Sequence, residues 1–394
     1  MEARRVLFAK PFTLVLVLAS SFLLVQSMRA QSFNVIHNFT GGTDGANPLS
    51  GLMMGAGGYM YGTTSAGGAY NNGTVFRLAP TGVLQTIYAF QGGSDGSSPQ
   101  SFLIEDSQGR LYGTTSAGGS FGGGTVFRIT NNTKTVLHNF GSGSDGSAPL
   151  GGLVFDRAGN LYGTTSAGGA HGNGAVFMLS QSGAILRETV LYSFGTGMDG
   201  AVPYAGVTLD SAGDVLGTTS AGGTSGYGTI FELSKQHSWA ETIVYNFQNL
   251  NDGGVPYAGL IADGLGNFYG AATEGGSQGG GSIFELTPAG SGWNFTAIQS
   301  LAGWGISGTF RNLMLSSSGT LYATTHCDGQ DSAGTVYQLV PGGGTWTYSL
   351  LYSFTGGTDG LYSFSNLVMF ANRLYGTTNQ GGAYGYGDVF AVFP

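Results

Sequence analysis

One phrase of about twenty residues recurs along the chain and limits what it can fold into. It reads GYMYGTTSAGGAYNNGTVFRL at 58–78, GRLYGTTSAGGSFGGGTVFRI at 109–129 and NLYGTTSAGGAHGNGAVFMLS at 160–180, and four weaker copies follow. The aromatic residue near the end of each copy marks the register, at Phe76, Phe127, Phe177, Phe231, Phe284, Tyr337 and Phe390. Successive marks lie 51, 50, 54, 53, 53 and 53 residues apart. A period near fifty is typical of propellers, solenoids and other repeat arrays.

A second recurring phrase predicts a β-strand between consecutive copies. It is rich in β-branched and aromatic side chains and ends in a large hydrophobic residue. It occurs at 32–39, 83–90, 133–140, 187–194, 240–247, 294–301 and 347–354. A turn such as GSGSDGSAP (141–149) and a short apolar run such as GGLVFD (151–156) follow it. Each repeat therefore supplies a first strand (GLVFD type), a second (LYGTT), a third (AVFML) and a fourth (VLHNF).

Four antiparallel strands per repeat predict an all-β, seven-bladed propeller. A β-helix is the main alternative, but its coils are shorter and are built from parallel strands. The first strand phrase along the chain, at 32–39, is of the fourth-strand type, and the last is of the third-strand type. We therefore expect the N-terminal strand to complete the last blade and cover its open edge. We expect the glycine of LYGTT to let neighbouring sheets approach closely near the axis.

The N-terminus predicts export. Arg4, Arg5 and Lys10 precede an apolar run at 12–25, and small residues follow, which is the layout of a signal peptide at 1–30, with a retained anchor helix as the alternative. We therefore expect one propeller domain at 31–394, secreted, periplasmic or on the cell surface, with no later membrane span and nothing at the C-terminus to anchor it. Without residues 1–30 the chain has 9 basic and 20 acidic side chains, a net charge of −11, which disfavours nucleic acid as a partner. Cys327 is the only cysteine, so no disulfide can form within the chain.

The phrase LYGTTSAGG followed by GTVFRL, with a LYSF-type strand and a GGTDG turn, resembles the GloVer-type tandem repeat of exported bacterial proteins. The resemblance covers essentially all of residues 32–394. It implies an exported repeat protein, and no activity is established for that repeat. Related proteins carry differing C-terminal anchoring modules, and we expect none in this chain.

A recurring aspartate follows the fourth strand in six of the seven repeats. It stands at Asp44, Asp95, Asp145, Asp199, Asp252 and Asp359, and the sixth repeat has Ile306 instead. The connections from the fourth strand to the first and from the second to the third must leave the ring on the same face. A circle of carboxylates near the mouth of a central channel could bind a calcium ion or the hydroxyls of a sugar. The alternative, which we favour, is that each aspartate caps its own turn.

Two further groups are candidates for function. Trp239, Trp293 and Trp346 each lie eight residues before the end of a fourth strand and could bind glycan rings or a partner protein, or could pack blade against blade. His326 and Cys327 stand where other repeats have small residues, and we favour drift of a divergent loop over nucleophilic chemistry.

These observations predict a non-catalytic binding module for a glycan, a cell-envelope component or a protein. The alternatives are a polysaccharide-active hydrolase or lyase with carboxylates at the channel mouth, and a purely architectural envelope protein. We expect a monomer, no required cofactor, and calcium as the one candidate ion.

Overall fold

The computed structural model describes residues 32–182, 185–195, 197–290, 292–303 and 308–394, which belong to one compact unit, Gln31–Pro394. The predicted signal peptide at 1–30 lies outside the described residues, and so does Ile306. Within them no helix is both long and apolar enough to span a membrane.

The described residues form thirty strands, of which 28 are arranged in seven four-stranded antiparallel sheets. The first strand along the chain is β1 (Phe33–Asn38). Blade 1 consists of β2 (Met53–Met54), β3 (Met60–Thr64), β4 (Thr74–Leu78) and β5 (Leu84–Ala89). Blade 2 consists of β6 (Ile104–Glu105), β7 (Leu111–Thr115), β8 (Thr125–Thr130) and β9 (Thr133–Asn139). Blade 3 consists of β10 (Val154–Phe155), β11 (Leu161–Thr165), β12 (Ala175–Ser182) and β13 (Ile185–Ser193).

The remaining blades have the same order. Near blade 4 the short strands β14 (Gly200–Ala201) and β17 (Ala221–Gly222) pair with each other, and its sheet consists of β15 (Thr208–Leu209), β16 (Val215–Thr219), β18 (Thr229–Ser234) and β19 (Ala240–Asn246). Blade 5 consists of β20 (Ile261–Ala262), β21 (Phe268–Ala272), β22 (Gly279–Ala289) and β23 (Gly292–Ala302). Blade 6 consists of β24 (Met314–Leu315), β25 (Leu321–Thr325), β26 (Thr335–Gly342) and β27 (Thr345–Ser353). Blade 7 consists of β28 (Val368–Phe370), β29 (Arg373–Thr378), β30 (Asp388–Val392) and β1. Short 3₁₀ turns occur at Ala56–Gly58, Gly93–Asp95 and Lys235–His237.

The N-terminal strand closes the ring, as predicted. β1 pairs antiparallel with β30, with Phe33 opposite Val392 and Asn38 opposite Asp388. The Phe33 ring also stacks on Tyr352 of blade 6, with centroids 3.9 Å apart. The predicted seven-bladed propeller with four antiparallel strands per blade is therefore confirmed.

A repeated pair of phenylalanines forms the core between neighbouring blades. In six of the seven blades the phenylalanine at the end of the fourth-strand phrase contacts the marker aromatic of the next blade, as Phe90 does with Phe127 at a centroid distance of 5.2 Å. Five further pairs have the same arrangement, with centroids 4.9–5.5 Å apart: Phe39–Phe76, Phe140–Phe177, Phe194–Phe231, Phe247–Phe284 and Phe354–Phe390. All twelve rings are fully buried. Aromatic pairs of this kind contribute about 0.5–1.5 kcal/mol each beyond the burial of their area. The core therefore repeats with the sequence.

The glycine of LYGTT has a different role from the predicted one. Gly62 lies opposite Phe76 in the same blade, and a Cβ on it would fall 2.5 Å from that ring. The glycine therefore makes room for the marker aromatic of its own sheet, not for a neighbouring sheet. In blade 6 Ala323 takes this place opposite Tyr337, whose hydroxyl is hydrogen-bonded to Thr309 at 2.7 Å.

Candidate functional site

Two sets of loops share one face of the propeller, which we call the loop face. The connection from the fourth strand to the next first strand pairs with the connection from the second strand to the third. Short antiparallel bridges join them at Ala46–Ala66, Ser97–Ala117, Ser147–Ala167, Ala201–Ala221, Gly254–Glu274 and Leu361–Gln380. The loop face is therefore built from the two most uniform loops of the repeat, as the antiparallel order predicts.

The recurring aspartates of the loop face hold their own turns together. Asp95 accepts a hydrogen bond from the backbone N–H of Gln91 at 2.7 Å and another from the Tyr88 hydroxyl at 2.8 Å. The other five aspartates make the same two contacts, one with the backbone N–H four residues earlier and one with the tyrosine or histidine seven residues earlier. They are Asp44, Asp145, Asp199, Asp252 and Asp359. The sixth repeat, which lacks the aspartate, also lacks the tyrosine or histidine and has Gln299 there. The aspartate and the tyrosine or histidine seven residues before it therefore occur together, and an alignment of the repeats could have revealed this.

These carboxylates lie beside the outermost strands, whereas the sequence predicted a position near the mouth of the channel. Asp95 forms an ion pair of 2.7 Å with Lys134, which belongs to the outer strand of the next blade. At the 3–4 boundary the Tyr192 hydroxyl is 3.1 Å from Asp199 and 3.0 Å from Glu241. Because each residue bonds with a fourth strand, the six carboxylates are spread around the rim, one for each of six blade boundaries. Cation binding by any one of them stays a prediction.

Two of these boundaries contain a pair of carboxyl groups. Burial, together with the charge of Asp199, raises the pKa of Glu241 to about 7. Burial and the charge of Asp145 raise the pKa of Glu188 to about 7 in the same way. One carboxyl oxygen of each glutamate is fully buried without a hydrogen-bond partner. The Tyr192 hydroxyl has a single proton and can donate it to only one of its two carboxyl neighbours. Both contacts are hydrogen bonds when Tyr192 donates to Asp199 and a protonated Glu241 donates to the tyrosine oxygen.

The three tryptophans pack between blades. Trp239 contacts Tyr162 of blade 3 with centroids 6.1 Å apart, and Trp346 contacts Tyr269 of blade 5 at 5.7 Å. The indole N–H of Trp293 donates to Glu232 of blade 4 at 3.0 Å. All three are half-buried, and each reaches the preceding blade. This is the packing arrangement considered above, and ligand binding by the exposed edges stays a prediction.

A ring of seven side chains surrounds the axis on the loop face, and we call it the axial ring. Each blade contributes one half-buried residue from the loop that leads into its first strand. The seven residues are Leu49, Gln100, Leu150, Tyr204, Tyr257, Phe310 and Phe364. The next residue of every blade is buried. The axial ring therefore covers a buried layer, and it contains no carboxylate.

Blades 4 to 7 give the axial ring a continuous aromatic arc. The centroids of Tyr204 and Tyr257 are 4.7 Å apart, those of Tyr257 and Phe310 are 5.2 Å apart, and those of Phe310 and Phe364 are 5.1 Å apart. His326 lies against this arc, 4.3 Å from Phe364 and 5.1 Å from Phe310. Burial lowers the pKa of His326 to about 4, so the imidazole is neutral at pH 7. From the sequence we interpreted His326 as part of a divergent loop, and we did not predict the arc. An alignment of the repeats would have placed its four aromatic residues at one position.

Exposed aromatic rings also stand on the rim of the loop face. Tyr384, Tyr70 and Phe121 occupy matching loop tips in blades 7, 1 and 2, and are 61%, 56% and 59% exposed. The backbone N–H of Ala383 bonds to Asn38 in the outer strand of blade 7, so this loop tip lies far from the axis. The loop face therefore carries an aromatic arc at its centre and separate aromatic residues at its edge.

The opposite face has two further features. A cavity of about 780 Å³ lies between blades 2 and 3, with Arg110, Arg128 and Arg157 in its lining. Glu105, Asp106 and Asp156 line the same cavity, so its formal charges balance. The carboxylates of Asp210, Asp214 and Glu232 also approach one another, but Asp210 caps its own turn and Glu232 accepts from Trp293.

Comparison with solved structures supports the propeller architecture. The chain is similar to the extracellular domain of a candidate one-component system from B. thetaiotaomicron, with 14% identity, a TM-score of 0.54, and coverage of 91% of this chain and 42% of that one. It is also similar to a candidate 6-phosphogluconolactonase from Bacteroides fragilis, with 18% identity, a TM-score of 0.52, and coverage of 84% and 92%. A polysaccharide lyase, an ulvan lyase, has 10% identity, a TM-score of 0.52, and coverage of 90% and 95%. At these identities the likeness concerns the fold alone.

Comparison of sequences identifies the repeat. A search of curated proteins finds no match. The model of the Gloeobacter/Verrucomicrobia repeat matches residues 24–231 and 180–390, which together cover nearly all of the propeller. The match confirms the resemblance drawn from the LYGTTSAGG phrase, and the chain belongs to the Gloeobacter/Verrucomicrobia repeat family.

Proposed function

We propose that this propeller is an exported glycan-binding module and that its site is the aromatic arc of the axial ring. The observation that carries the proposal is the contact of four half-buried rings, Tyr204, Tyr257, Phe310 and Phe364, in one arc on the outer surface. Aromatic rings with one open side offer a flat apolar surface to the C–H face of a sugar. Export rests on the predicted signal peptide, and we propose that the module acts outside the cytoplasm as a monomer.

The surroundings of the arc favour a saccharide over an apolar partner. Gln100 belongs to the same ring, and because its amide nitrogen donates to Ser98 and Ser116, the group it offers is the amide oxygen. The Tyr204 and Tyr257 hydroxyls can donate to or accept from a sugar. A protein-binding patch would instead be expected to present a larger continuous apolar area.

The test is affinity electrophoresis of the purified protein in gels that contain xylan, a mixed-linkage β-glucan, polygalacturonate or alginate. We expect retardation by at least one of these polysaccharides, and a loss of affinity of about tenfold or more in Y257A and F310A, because central aromatic anchors dominate such sites. Y384A is the matched control, since it removes an exposed ring from the same face but from the rim. Equal binding by Y257A, F310A and the wild type would exclude the arc as the site.

A second function, polysaccharide cleavage, is favoured by one observation. In the pair of Glu241 and Asp199, Glu241 can donate or accept a proton near neutral pH, as general acid–base catalysis requires, because burial and the charge of Asp199 raise its pKa to about 7. The buried oxygen of Glu241 argues that the pair stabilises the blade boundary instead. An assay for reducing ends or for unsaturated products with the same four polysaccharides decides, and activity that is lost in E241Q with an unchanged melting temperature would establish the enzyme.

A further inference from the structure

Arg311 departs from its repeat in both size and charge. In the other six blades the equivalent residue is small: Ser50, Ser101, Gly151, Ala205, Ala258 and Ser365. Arg311 belongs to blade 6, but its side chain reaches blades on the other side of the ring. Its Nε donates to the carbonyl of Leu49 in blade 1 and one Nη donates to the carbonyl of Gln100 in blade 2, each at 3.2 Å. The guanidinium therefore crosses the axis directly beneath the axial ring.

The charge of Arg311 has no counter-ion within the described residues. No carboxylate there lies within 4.0 Å of the guanidinium, and the ion pairs found involve other side chains. The guanidinium faces the Tyr204 ring, whose centroid is 5.4 Å from the guanidinium carbon. Arg311 is 8% exposed, and a guanidinium remains charged at neutral pH even when burial lowers its pKa. Burying a charge without a partner is costly, and two carbonyls and one aromatic face compensate it only in part.

The hydrogen bonds found for Arg311 use only part of its donors. Two of the five N–H groups are bonded to carbonyls, and the other three make no hydrogen bond within the part of the chain that the structure describes. These three belong to the two Nη atoms, which together present the edge that binds a carboxylate through two parallel hydrogen bonds.

We propose that Arg311 selects a carboxylate-bearing saccharide, a uronate, at the centre of the axial ring. The sugar ring lies against the Tyr204 and Tyr257 side of the arc, and its carboxylate bonds to the free Nη edge of Arg311. The proposal rests on the glycan-binding function above and adds to it the chemical class of the ligand.

The distribution of negative charge is compatible with this choice. The axial ring has no acid. Burial raises the pKa of Tyr257, and the charge of Glu274 adds a smaller contribution. The six recurring aspartates lie at the rim and are occupied by their turns. Charges separated by more than about 8 Å are largely screened at physiological ionic strength, so the net negative charge of the chain does not prevent a local contact with Arg311.

The alternative is that Arg311 only ties blade 6 to blades 1 and 2. The two roles differ in their dependence on ligand charge, and a pair of matched ligands separates them. Oligogalacturonate and its fully methyl-esterified form have the same sugar rings, but only the first has carboxylates.

The experiment is isothermal titration calorimetry of the wild type, R311S and R311Q with these two oligomers. R311S restores the residue of blades 1, 2 and 7, and R311Q retains an amide donor for the carbonyls if R311S fails to fold. R187S, which removes an exposed arginine from an outer strand, is the control. We expect the wild type to bind oligogalacturonate about tenfold to a hundredfold more tightly than the ester, because bonds to charged groups are the strong ones. The preference should disappear in both Arg311 variants and remain in R187S.

Each outcome is decisive for the uronate proposal. A wild type that binds both oligomers equally, prefers the ester or binds neither would overturn it, and so would a preference that persists in R311S or R311Q with unchanged melting temperature. Binding of the ester that depends on Tyr257 would leave the glycan-binding function standing while the role of Arg311 falls. Binding of no polysaccharide in the panel would remove both.

Discussion

Replacing Asp388 with threonine should stabilise the protein, and the gain should increase with pH. Asp388 is the first residue of β30 and is fully buried, and neither carboxyl oxygen has a hydrogen-bond partner. Blades 1, 2, 4 and 6 have threonine at this position, and its hydroxyl bonds to a threonine of the second strand at 2.7–2.9 Å. Blade 7 retains the second-strand residue, Thr378, so D388T can restore the pair. Burial, with a smaller contribution from the charge of Asp359, raises the pKa of Asp388 from 3.8 to about 8.

The sign of the pH effect follows from this raised pKa. Between about pH 4 and pH 8 the unfolded chain has lost the proton of Asp388 and the folded chain keeps it. The free energy of unfolding therefore falls as the pH rises through this window, by at most about 1.4 kcal/mol per pH unit from this group. Between pH 5 and pH 8 the loss amounts to about 4 kcal/mol, or roughly 5 °C in melting temperature for a domain of this size.

The assay is thermal and urea unfolding of the wild type, D388T and D388N at pH 5 and pH 8. Other carboxyl groups with raised pKa, such as Glu188 and Glu241, affect all three proteins alike and cancel in the difference. D388N removes the titration but leaves a buried amide, so it should lose the pH dependence without the full gain in stability. D331N, at an exposed loop position, should behave like the wild type. If the difference between D388T and the wild type is the same at both pH values, the carboxyl group is not buried and neutral as described.

Two further predictions concern the closure of the ring and the rim aspartates. Deleting residues 32–39 should leave β30 with an open edge and remove the buried Phe39, so we expect aggregation or a melting temperature lower by several degrees, measured by light scattering and calorimetry; an unchanged melting curve would contradict the closure. Calcium in excess should raise the melting temperature if the six aspartates bind it, and equal curves in calcium and in chelator would leave them as turn caps only.

The repeated sequence was sufficient to predict the architecture. Every blade has the same spacing of strand phrases, and the fourth strand that ends in phenylalanine always precedes a marker aromatic by a similar distance. Local strand propensity and the apolar pattern therefore specify both the four-stranded sheet and the ring pairs between sheets, such as Phe90 with Phe127. The position of the surplus fourth strand at the N-terminus likewise predicted closure through β1.

The candidate site depended on the tertiary structure. Tyr204, Tyr257, Phe310 and Phe364 are more than fifty residues apart in sequence, and only the closed ring brings them into one arc. The path of Arg311 across the axis could not be predicted, because a repeat pattern describes what the blades share, whereas this side chain bonds to blades that are distant in sequence. The aspartates show the converse limit, since their spacing predicted the turns but their distance from the axis was set by the outer strands that hold them. Local sequence thus determined each blade, and the arrangement of seven blades around one axis decided which side chains meet at its centre.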